Sequence, residues 1–197
     1  MDFNWNQIIA TLIGAFLAAA TGWYFERRRE NARLAQARKL LTTAICDDLQ
    51  HSNSLYDKVA EEWEKGKTVW FSTLNELRES RHTYQNNKDW INVFEEQELR
   101  RRLFRYYLQS ADRINQLEYQ QRRKYEIEGR LNETIRNIKF RDSSLTHEAA
   151  VKAAISYMES ESREYGGLEQ IIPDSVSKLG AFKAEAAELL RQLRALK

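Results

Sequence analysis

One proline, one cysteine, seven glycines and three histidines in 197 residues leave out much of the usual punctuation and much of the usual chemistry. So few turn-forming residues argue against the many tight turns of an all-β sandwich or barrel, and long helices become the default architecture. A lone cysteine excludes an internal disulfide framework and a cysteine-based zinc site, and Cys46 stands in a helical context outside any motif. A Walker loop, a dinucleotide fingerprint, a nucleophile elbow, a zinc-protease helix and a calcium loop are also missing, which removes several large enzyme classes. Charge of one sign is lacking too: 31 basic residues face 29 acidic ones, a balance that gives no support to nucleic acid as a partner.

What the chain has instead is an uncharged run from Phe3 to Phe25, with Trp5 before its apolar centre and Trp23-Tyr24 after it. About 20 such residues in a helix cross a bilayer core of about 30 Å, and aromatic residues favour the headgroup belts at both ends. Ile8, Leu12, Ile13, Phe16, Leu17 and Trp23 are the expected anchor residues. A cleaved signal peptide would carry its positive charge ahead of the apolar run. Here Asp2 precedes it, while Arg27, Arg28, Arg29 and Arg33 follow. The positive-inside rule therefore predicts an outward N-terminus and a cytosolic remainder, with those arginines setting topology and facing anionic headgroups. The expected division is an anchor over 1–25 and a cytosolic, coiled-coil-like helical domain over 26–197. Ala10, Gly14, Ala18 and Gly22 recur every fourth residue and form a stripe of small side chains suited to close helix association in a membrane.

Beyond the anchor, an all-α fold is expected: the span continuous with a long helix, an antiparallel helical hairpin, and two shorter helices. The first rod carries Leu34, Ala37, Leu41, Ile45, Leu49, Tyr56, Val59 and Trp63 on one face and stops at Gly66. Thr73 with Glu76 reads as a capping box, and Tyr84 to Asp89 as a loop. A second rod is expected from near Trp90 to Ile138, with a breach in its apolar stripe around Gln121 and Lys124 and a weak point at Gly129. Thr146 is the expected N-cap of a helix ended by Gly166-Gly167, and the last helix is expected after Pro173-Asp174. Residues 40 to 99 carry a net charge of −6 and residues 100 to 141 one of +7, a hint that these two stretches pair.

Few residues offer chemistry. Asp47 and His51, with Asp48 beside them, share a helix face, but two ligands do not make a metal site, and neither a metal nor a cofactor is expected. The basic clusters Arg100-Arg101-Arg102 and Arg122-Arg123-Lys124 interleave with Tyr106, Tyr107, Tyr119 and Tyr125. Nucleic acid can bind such mixtures, yet the tyrosines fall on or beside the apolar stripe, where a core role is commoner.

Arg141 and His147 stand six positions apart across Arg141-Asp142-Ser143-Ser144-Leu145-Thr146-His147. That spacing resembles the signature of HEPN-type ribonucleases, helical domains of bacterial toxins and antiviral effectors. The resemblance implies a metal-independent ribonuclease in which Arg141 and His147 act on RNA at a dimer site. The overall plan, span plus basic collar plus helices, is similar to small bacterial and prophage-encoded single-pass proteins of the inner membrane. It implies a self-associating interaction or scaffold protein that receives a cytosolic partner, with phage exclusion or defence as a role. A spanin-like lysis protein shares the plan but places its rods in the periplasm, opposite to the collar's prediction.

Overall fold

The computed structural model describes residues 5–195, with side chains from Ile13 onward except that of Trp90. Among the described residues, seven α-helices and one 3-10 helix carry the chain and no strand occurs. Helix α1 (Trp5–Gly66) is a single rod, as the absence of Gly and Pro between Glu26 and Lys65 predicts. It stops at the expected place by an unexpected device. Lys67, not Gly66, takes the left-handed conformation at φ 50°, and its N–H donates to the Trp63 carbonyl at 2.8 Å.

Three short elements then climb back along α1: α2 (Phe71–Glu79), α3 (His82–Asn87) and the 3-10 helix (Lys88–Val93). Their contacts run in opposite sequence order to α1: Glu62 with Thr73, Lys58 with Glu76, Ser52 with Ser80, Asp48 with Thr83 and Arg38 with Glu95. The expected loop at 84–89 is thus helical. The expected capping box is absent as well, because α2 already begins at Phe71 and has no side-chain cap. A carboxylate from α1 serves that end, Glu62 accepting from Trp70 N at 2.8 Å and from the Thr73 hydroxyl at 2.6 Å.

Helix α4 (Gln97–Arg141) starts later than Trp90 and runs straight through Gly129. It lies parallel to α1: Leu41, Ile45 and Leu49 cluster with Leu99 and Leu103, while Leu55, Tyr56 and Val59 cluster with Ile114, Leu117 and Ile127. Hairpin-like packing is present, but the two long rods are not its arms. The connection between them is long enough to return the whole length of α1, so each rod gains its antiparallel neighbour from the segment that follows it. For α4 that neighbour is α5 (His147–Tyr157), α6 (Glu159–Gly180) and α7 (Phe182–Arg194), three helices where two were expected. The pairs Arg130–Glu161, Arg123–Glu164, Lys124–Glu169 and Arg102–Glu185 mark the opposed directions. Charge asymmetry therefore misled about pairing. Among the described residues, the one bridge between 40–99 and α4 is Arg78–Glu118, with the opposite polarity.

Thr146 caps α5 as expected, its hydroxyl accepting from Ala149 N at 3.2 Å. Gly166-Gly167 and Pro173, in contrast, lie inside α6. The helix survives them because it buries Leu168, Ile172, Val176 and Leu179, and such burial outweighs local preferences of about 1 kcal/mol per glycine and about 3 for proline. The breaks fall instead at Met158 and at Gly180-Ala181. The breach at Gln121 also has a cause. Its buried amide brackets the Val69 main chain, accepting from Val69 N at 2.8 Å and donating to Val69 O at 3.1 Å.

Candidate functional site

The bundle grips α1 only from Ala37 onward; every described side chain from Ile13 to Gln36 is exposed. At about 1.5 Å per residue, the part from residue 5 to residue 36 projects about 48 Å. Phe16 is 74% and Trp23 61% exposed, and Ile13 and Leu17 are equally open, so this stretch is apolar on all sides with nothing packed on it. Its one polar side chain between Ile13 and Phe25 other than the aromatics, Thr21, satisfies itself inside the helix by donating to Leu17 O at 2.6 Å. Gly14, Ala18 and Gly22 face outward, and a Cβ at either glycine would meet nothing within 4 Å. The side chains of Ile8, Ala10 and Leu12 lie outside the described residues. Among the described residues, no helix is long and apolar enough to cross a membrane.

The collar follows directly. Arg27 stacks over Trp23 at 5.1 Å, and among the described residues no carboxylate pairs with Arg27, Arg28, Arg29 or Arg33. Most side chains of the other basic clusters are already engaged. Arg122 pairs with Glu118, Arg123 with Glu126 and Glu164, and Lys124 with Glu169, while Arg100 donates to the Phe94 and Glu95 carbonyls. Tyr106 and Tyr107 are core residues as expected, whereas Tyr119 and Tyr125 are exposed.

Arg141 ends α4 and His147 opens α5, both exposed on either side of the turn where Asp142 accepts from Ser144 N and its hydroxyl. No hydrogen bond joins them among the described residues. Asp47 and His51 are solvent-facing, and the described residues contain no metal-holding group of three or more ligands. Asp48 turns inward, accepts from Thr83 at 2.8 Å, and has its carboxyl raised above the ordinary value mainly by burial.

Sequence reasoning placed Tyr56, Tyr106 and Tyr107 in the core but missed the polar partners that gather around them at the bundle's centre, Ser52, Ser80 and Arg81. Tyr56 and Tyr106 share a hydrogen bond at 3.2 Å, Ser52 and Ser80 one at 2.8 Å, and Tyr84 stacks on Tyr107 at 4.1 Å between ring centres. Among them lies Arg81, 9% exposed, its guanidinium pulled below its ordinary pKa by burial. Burial pushes the Tyr56 and Tyr107 hydroxyls far above theirs, so both stay protonated. Tyr56 was legible as a stripe residue; nothing local marks Arg81 as buried. A cleft of about 660 Å³ between α4 and the α6–α7 break mixes Arg105, Arg113 and Lys178 with Glu98 and Asp112, so no single charge defines its ligand. No family model matches the chain, no curated protein matches its sequence, and no solved structure matches its fold.

Proposed function

We propose that the chain is a single-pass protein of the bacterial inner membrane, its N-terminus outside, whose cytosolic helical bundle offers a surface to a protein partner. The exposed apolar stretch of α1 carries this reading. A helix hydrophobic all round is stable only in a core or a bilayer, and the bundle provides no core for it. The uncharged run continues back to Ile8, so that from Ile8 to Phe25 it measures about 27 Å at 1.5 Å per residue, close to a bilayer core of about 30 Å. The Trp23–Arg27 stack suits an aromatic belt beside headgroups, and the unpaired collar suits anionic lipid. Self-association through Gly14, Ala18 and Gly22 fits their open positions.

A topology measurement tests the reading. Cys46 is 3% exposed and a poor reporter, so the probe is Phe140→Cys in a Cys46→Ser background, at a position 91% exposed. The protein should sediment with membranes after alkaline carbonate extraction, and the introduced thiol should react with an impermeant maleimide only after spheroplasts are lysed. Release by carbonate would overturn the anchor. Labelling in intact spheroplasts would move the bundle outside and turn the reading towards a lysis protein.

A further inference from the structure

We infer that α2 and α3 form a strap that lifts from the α1 and α4 segments beneath it while those segments stay closed, and that the buried Arg81 between them governs how readily it lifts. Local stability is low to begin with. α2 has nine residues and α3 six, neither has a side-chain N-cap, and helices of that length do not persist without tertiary support. That support is polar at the strap's midpoint. Ser80 meets Ser52, Thr83 meets Asp48, and Arg81 lies beside Tyr56, Tyr106 and Tyr107.

Several of these groups are left wanting. Arg81 Nε, Asp48 Oδ2 and the Tyr107 hydroxyl are buried without a hydrogen-bond partner, and no carboxylate pairs with Arg81 among the described residues. A guanidinium whose Nε is buried without a partner, and which has no counter-ion beside it among the described residues, gains hydration from any motion that opens the strap. The opposite side of the bundle offers no such incentive. There α6 and α7 bury Leu168, Ile172, Leu179, Leu189 and Leu193, with their charges paired at the rim. The strap's two ends are tied, by Gln121 and Glu62 below and by Arg38 to Glu95 above. Opening therefore starts at the middle and parts Tyr84 from Tyr107 while both ends stay tethered.

Hydrogen exchange on the full chain in detergent micelles tests this. Amides of residues 71–87 should exchange about tenfold faster than those of 45–59 and 103–117, as expected for a separate low-stability unit. Arg81→Met, which removes the charge and keeps the length, should slow exchange in the strap alone. Equal protection of the three segments, or faster strap exchange in Arg81→Met, would overturn the inference. A second readout holds even where that variant fails to fold: Ser80→Cys in a Cys46→Ser background should react with maleimide at least about tenfold faster than wild-type Cys46, the same ratio that separates the strap from the core. Equal thiol reactivity would mean that strap and α1 open together, and would sink the idea.

Discussion

Lys67 takes a left-handed backbone without being glycine, the one such case among the described residues. The conformation costs an L-residue roughly 1–2 kcal/mol, so Lys67→Gly should stabilise the fold by about 1 kcal/mol, allowing for the greater freedom of glycine in the unfolded chain. Thermal unfolding followed by circular dichroism should show a rise of about 2–4 °C. Asp48 makes a pH-dependent prediction. Its folded-state carboxyl titrates above 3.8, mainly because burial disfavours the charge, so over that window the folded state holds a proton that the unfolded chain has lost. Stability contributed by this group therefore falls as pH rises from 3.8 through the raised value and stays lower above it. Asp48→Asn should be more stable than the parent at pH 7, with the gap closing as pH falls below 3.8 in urea titrations. At this scale the sequence speaks unevenly. Thr146 announced its capping role because the cap is a local bond, whereas Arg81 and Gln121 took theirs from partners about 25 or more positions away.

Helices as elements were legible, while their ends were legible at Gly66 and Thr146 and misread within α6. Apolar spacing reveals that a face is covered, which is why α1 and α4 could be read along most of their length. A stop signal is only a local preference, and in α6 the burial of four apolar residues carries the helix through two glycines and a proline. The glycines still weaken it. A Cβ at Gly166 or Gly167 meets nothing within 4 Å, so the double variant Gly166→Ala, Gly167→Ala should stabilise the protein by about 1–2 kcal/mol. A higher urea midpoint with an unchanged slope would bear this out; a lower midpoint would show that α6 needs the flexibility.

For the whole molecule, amphipathic stripes gave two long rods and two shorter helices with faces to bury, yet the stripes alone did not say which would be neighbours. Charge gave the wrong answer because the partner of α4 turned out to be the chain that follows it, and the ion pairs formed there. The apolar stretch ahead of the collar was the most legible candidate site, since its exposure needs no partner within the chain, while Arg141 and His147 lie exposed on either side of the α4–α5 turn. If the projecting stretch mediates self-association, Gly14→Ile with Gly22→Ile should lower the signal of a membrane association reporter. The same change should leave bundle stability within about 0.5 kcal/mol, because both positions stand clear of it.

One continuous α1 also has a mechanical meaning. The helix that leaves the bundle at Ala37 is the same one that supplies Ile45, Leu49 and Val59 to the core, with neither glycine nor proline between Glu26 and Lys65 to act as a joint. Such a rod behaves as a drive shaft. A twist applied to its outer end turns those side chains within their sockets by a similar angle, and since a packed core admits only discrete arrangements, a gradual torque outside is met by an abrupt change of fit inside.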